Sequence, residues 1–191
     1  VLAGAGAVVL VAAGSFGAGH FTASTRQPEA LGATPPSMTL APEHELLKRH
    51  VGSWEGSVKF DMGGGWVETT GTIRREMILD GRFVMEHIDS DFMGQPFKGI
   101  GIMGYNTSEK KFESFWIENA VTHMAFADGS YDAKSKTYTF EGDMLDPMSG
   151  ETKRQRTVVD VSQPDVETMT GYTINADGTK TKNFEGRFKR K

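Results

Sequence analysis

HVGSWEG, residues 50–56, stands between a short helix-like run, EHELLKR (43–49), and a strand-like one, SVKFDM (57–62). Pro42 suits a first helical turn, Glu43 and Glu45 favour the positive end of the helix, and Lys48, Arg49 and His50 favour its negative end. Gly52 then ends a helix of roughly two to three turns whose apolar side is Leu46, Leu47 and Val51. A tryptophan flanked by two glycines at the point where this helix hands over to the first strand needs a reason. The rest of the chain supplies one.

Beyond Gly52 strand-like runs alternate with turn chemistry: GGG at 63–65, LDGR around Asp80 and Gly81, MGQP around Gly94, NTSEKK at 106–111, ENAV around Asn119, DAKSK at 132–136, DPMSG at 146–150, SQPD at 162–165 and NADG at 175–178. Each supplies glycine, proline, asparagine or aspartate where the backbone must bend sharply. Nine turns separate ten strands, and a turn every 12 to 16 residues leaves no room for crossover helices. The expected fold is all-β, an antiparallel up-and-down meander of about ten strands. Closing it into a barrel removes two bare edges. In such a barrel Trp54 lies across the helix-covered end as a plug, with Gly52 stopping the helix and Gly56 relieving crowding; stacking of Trp54 on a ligand is the alternative.

The opening Gly-x-Trp-x-Gly (Gly52, Trp54, Gly56) resembles the signature of the calycins, the lipocalin-like barrels. More specifically, EHELLKRHVGSWEG, the segment GYNTSEKKFESFWIEN followed by THM, the turn DPMSGET and the ending DG…F-x-R-K resemble a bacterial family known as domain of unknown function 1579, over about Pro42 to Lys191. The resemblance implies the barrel and carries no activity with it. The opening motif is also similar to that of haem-binding calycins, whose haem-ligating histidine lies near the C-terminus. Here no histidine follows His123, and no cofactor is expected.

The composition bounds the function. The chain has 191 residues, 24% of them charged, with a net charge of −4 and both signs mixed along it, so it has no basic stripe for a phosphate backbone. Nucleic acid is not an expected partner. The absence of cysteine excludes disulfides, thiolate metal sites and a cysteine nucleophile. Residues 1–18 hold one polar side chain, Ser15, and no charge; residues 1–20 read as a secretory signal truncated at its start, with an uncleaved membrane anchor as the alternative. Residues 21–42 read as a disordered linker, and 43–191 as the barrel domain. The expected location is exported, periplasmic or secreted, with no membrane contact beyond that N-terminal segment.

Candidate site residues come from parity, because alternate side chains on a strand face opposite sides. Arg75 shares parity with Ile73, Met77 and Leu79. His87 shares it with Phe83 and Met85, against Val84 and Ile88. His123 goes with Val121, Ala125 and Ala127. Arg154 and Arg156 share a face with Val158, and their two guanidiniums suit a carboxylate or phosphate, with Tyr172 and Tyr138 nearby candidates. The alternative for the pair is an outward face neutralised by Glu141, Asp143 or Glu185. His44, His50, His87 and His123 have no metal-ligand spacing, and Gly-x-Ser-x-Gly is absent, so no metal or catalytic residue is assigned. Ten methionines suit an adaptable apolar cavity. The expected partner is a small hydrophobic or amphipathic molecule held in the barrel by Arg154, Arg156, His123, Tyr172 and Arg75. An enzyme acting on a small anionic substrate and a protein-interaction module with a filled barrel are the alternatives.

Overall fold

The computed structural model describes residue 35 and residues 38–146 and 149–191. The expected signal or anchor segment, most of the expected linker, and Pro147 and Met148 of the DPMSG turn lie outside the described residues. Pro42 caps a short helix, α1 (Glu43–Leu47), which tightens into a 3-10 turn at Lys48–His50. Gly52 follows at φ 127°, a conformation L side chains rarely adopt.

Ten strands then run in order: β1 (Gly52–Asp61), β2 (Trp66–Ile78), β3 (Phe83–Phe92), β4 (Gln95–Asn106), β5 (Lys111–Glu118), β6 (Ala125–Asp132), β7 (Thr137–Leu145), β8 (Thr152–Gln163), β9 (Val166–Ile174) and β10 (Lys180–Arg190). Every strand pairs antiparallel with its sequence neighbours, and β1 pairs with β10 to close the barrel. All nine turn segments read from the sequence are the connections. β6 begins only at Ala125, leaving His123 in a loop, because Asn119 holds that loop back onto β4: its amide N–H donates to the Lys98 carbonyl (3.0 Å) and its Nδ2 to that of Pro96 (2.9 Å).

The helix covers the end where β1 begins and β10 finishes, and the core is concentrated there. Leu47, Tyr138, Val161 and Trp54 are fully or almost fully buried, with Phe112, Val84, Ile73 and Phe188 close behind. Trp54 lies under the guanidinium of Arg190, 4.2 Å from the ring centre, and its Nε1 donates to the His50 carbonyl at 2.9 Å. Both ends of an amphipathic ring are thereby satisfied. The second glycine of the motif has its own reason. A Cβ at Gly56 would stand 2.0 Å from the Arg187 carbonyl oxygen and 2.7 Å from the Phe188 ring, so β1 and β10 can approach this closely only over a hydrogen atom.

Candidate functional site

Two polar constellations lie inside the barrel, one at each end. At the closed end the inward face of β2 carries Arg75, opposite Glu86 on β3, and β9 contributes Glu167. Arg75 Nε donates to Glu86 (2.8 Å) and Nη1 to Glu167 (2.7 Å), while His50 Nδ1 meets the other Glu167 oxygen at 2.8 Å. A carboxylate only accepts, so His50 carries its proton on Nδ1. His50 Nε2 is buried with no hydrogen-bond partner. Burial alone would raise the Glu167 carboxyl, but the bond from His50 and the charge of Arg75 override it and hold it down at about 2. Burial would likewise depress Arg75, and Glu86 and Glu167 more than offset it, so its pKa is raised. This is a closed, mutually hydrogen-bonded cluster beneath Trp54, and Arg75, 6% exposed, is committed to its two carboxylates.

The other half of the interior is different. Inward side chains near the open end, where β1 ends and β2 begins, remain partly reachable by solvent, in contrast to the sealed helix-covered half. One wall is aromatic. Phe60 of β1 meets Phe92 of β3 edge to face at 5.5 Å and stacks on Phe184 of β10 at 5.8 Å, and Phe97 of β4 faces inward opposite Ser90. The other wall is polar. Asn183 Nδ2 donates to Gln155 Oε1 (2.7 Å) and Thr173 Oγ1 (3.0 Å), and Gln155 Nε2 donates to Thr173 Oγ1 (3.1 Å). The register of β10 shifts between Lys182 and Phe184, and the extra residue is Asn183, whose amide the bulge aims at this wall.

Trp116 of β5 lies near the mouth against β4. Its ring lies over Gly99, where a Cβ would stand 2.1 Å from it, and its Nε1 donates to Glu118 at 2.8 Å. Trp116, Glu118, Val121, His123, Ala125, Met144 and Leu145 line a hollow of about 60 Å³ at the mouth, room for a few water molecules. A larger hollow of about 210 Å³ lies at the closed end beside α1, between Met38–Leu40, Arg82 and Tyr105.

The residues singled out in the sequence thus separate. His123 lies in the β5–β6 loop beside Trp116 at the mouth. Arg154, Arg156 and Tyr172 do not join it. Val159 and Val161 are the buried valines of β8, so the opposite parity, which holds both arginines, faces outward. There Arg156 pairs with Glu141, and Arg154 lies 3.4 Å from Glu141 and 3.5 Å from Asp143. Tyr172 sits opposite Arg156 on the same outer surface. The expectation of two guanidiniums facing the interior is therefore corrected: they form an external ion-pair ladder on β7 and β8. His87 also faces outward, opposite Arg74 and Ile100. Sequence reasoning missed Glu167, Glu86, Gln155, Thr173 and Asn183.

Among the described residues no group of three or more histidine, cysteine, aspartate or glutamate side chains could hold a metal ion, and no helix is long and apolar enough to cross a membrane. Solved structures share the architecture. Rv2717c from M. tuberculosis superposes with a TM-score of 0.61 at 14% identity, covering 80% of this chain and 99% of that one. The S-type phycobiliprotein lyase CPES from Guillardia theta gives 0.55 at 10% identity, covering 78% and 92%. At such identities the likeness establishes the fold, a lipocalin-like barrel. No curated protein matches the chain significantly. Residues 39–190 match the family described as "Protein of unknown function (DUF1579)", and since that span is most of the chain, the protein belongs to this family.

Proposed function

We propose that the protein binds a small apolar or amphipathic molecule end-on in the open half of the barrel, without catalysis. The observation that carries the reading is the division of the accessible interior into an aromatic wall, Phe60, Phe92, Phe97 and Phe184, and an amide and hydroxyl wall, Gln155, Thr173 and Asn183. Apolar lining with a few convergent polar groups is the usual character of a small-molecule site. A tail against the phenylalanines would leave a polar head within reach of the bulge-directed amide of Asn183. The sealed half below, filled by Trp54, Tyr138 and Phe112, supports a shallow cup rather than a through-cavity. The phycobiliprotein lyase neighbour favours ligand handling in a barrel of this shape, by analogy of fold alone. The apolar run at residues 1–18 supports an exported protein.

The test is a titration with the neutral fluorophore N-phenyl-1-naphthylamine, followed by energy transfer from Trp116. Saturable binding is expected, weakened by about tenfold or more in Phe97→Asp and by less in Gln155→Leu, with far-UV circular dichroism unchanged. Absence of saturable binding, or equal affinity in both variants with the fold intact, would overturn the reading.

A further inference from the structure

Exposed large apolar side chains gather at one end of the molecule. Met62 between β1 and β2, Trp66 at the start of β2, Met93 between β3 and β4, Met124 between β5 and β6, Phe126 as the second residue of β6, and Met144 near the end of β7 are each between 40% and 68% exposed. Met62, Met93 and Met124 stand in three of the five turns that ring the open mouth and the others on strand ends beside them; the turn NADG at 175–178 is polar. At the opposite end the turns present Leu79 alone, with Met38 and Leu40 ahead of α1. Single exposed apolar residues are ordinary, but a grouping around a concave opening is not. Met93 sharpens the point. It stands at φ 54° before Gly94 at φ 79°, a two-residue hairpin turn in which asparagine leads, and 68% of it faces water, so methionine there adds nothing to folding.

We propose that this rim docks on the surface of a zwitterionic lipid bilayer. The apolar groups stand on separate turns and strand ends around a hole, so a rigid partner would touch only points, whereas the soft boundary between headgroups and acyl chains closes around each of them. Trp66, half exposed on the outer side of the rim, is the residue type that anchors at that boundary. The charge of the mouth selects the lipid. Its turns, residues 61–66, 91–96, 118–125, 143–153 and 174–180, carry acidic side chains, with Lys153 and Lys180 their only lysines and no arginine among them. Anionic headgroups would be repelled. The half-exposed phenylalanines inside the same mouth make the apolar path continuous from rim to cup, although the docking stands on the rim alone and does not require a ligand.

The test uses the whole chain with phosphatidylcholine vesicles brominated on their acyl chains. Residues 1–18 give every variant a common background, so the readout is quenching of Trp66 rather than binding as such. Trp116, which lies at the same mouth, is first replaced by phenylalanine in every chain compared; quenching is then expected with Trp66 present and lost in Trp66→Phe, since Trp54 is fully buried. Met62→Asp combined with Met93→Asp should reduce it by about fivefold or more. Leu79→Asp is the matched control: an exposed residue at φ 49° on the other end, it should leave quenching unchanged. Replacing about a third of the lipid with phosphatidylglycerol should weaken quenching. The proposal falls if no quenching depends on Trp66, if Leu79→Asp matches the rim variants, or if anionic lipid strengthens binding. It falls equally if the rim variants alter only self-association in sedimentation velocity, which would make the rim a protein contact.

Discussion

Replacing Glu167 by glutamine removes one negative charge from beneath Trp54 while keeping the side chain's shape, and its cost can be worked from two directions. The carboxyl titrates near 2 when folded and at an ordinary 4.5 when unfolded, which corresponds to roughly 3 kcal/mol of stability favouring the anion in the fold. Independently, deleting one partner of a buried ion pair costs about 3 to 5 kcal/mol. Arg75 retains Glu86, so the lower end applies, and the two routes agree at about 3 kcal/mol. With a urea slope of roughly 2 kcal/mol per molar, the unfolding midpoint at pH 7 should fall by about 1.5 M. The pH dependence is the sharper assay. Because the folded value is depressed, the contribution is complete above about pH 4.5 and drains away as pH falls through about 2. The glutamine variant has no such proton to bind, so the stability gap between the two chains should narrow from about pH 5 downward. A gap below about 1 kcal/mol at pH 7, or one that stays constant across the acid range, would refute the reasoning.

Two further substitutions probe the ends and the wall of the barrel. Trp54→Ala should cost about 3 to 5 kcal/mol in urea unfolding, as for other buried large aromatics; a loss below about 1 kcal/mol would show that the ring does not seal the closed end. Arg154→Met together with Arg156→Met should cost no more than about 1 kcal/mol, in line with exposed ion pairs, and leave naphthylamine binding unchanged. A tenfold change in affinity would mean that these side chains reach the interior.

The turns were legible because each needs backbone angles that only a few residue types supply without strain: Gly94, Gly150 and Gly178 all sit at positive φ where the sequence placed bends. The motif GSWEG was legible for a related reason, since both its glycines answer steric demands of the closed end. Parity was harder. On β8 valine occurs on both faces, at Val158 and at Val159 and Val161, so one apolar neighbour could not orient Arg154 and Arg156. On β9 the outward set, Val166, Thr168, Thr170, Tyr172 and Ile174, holds the strand's one aromatic and both its β-branched aliphatic residues, while the inward set is Glu167, Met169, Gly171 and Thr173. A barrel that keeps a polar wall and a buried ion cluster inverts the rule that apolar means inward. Asn183 escaped altogether, because a bulge changes the register by one residue and nothing in KTKNFEG announces it. His50, read as an end-of-helix cation, and His44, given no role, are both buried, since a helix lying across a barrel end turns polar side chains into the closure.

The pairing of β1 with β10 also bears on how the chain is made. Lys191 donates its amide to the carbonyl of Ser53 at 2.9 Å, and Arg190 supplies the cation above Trp54. A nascent chain emerging from its N-terminal side holds the first nine strands with two open edges and an uncovered tryptophan until the final strand is released. Each of those edges is a template for pairing with another chain. A chain lacking β10 would leave a sticky, aggregation-prone sheet instead of a slightly smaller barrel, so integrity of that strand is read out by the whole fold at once.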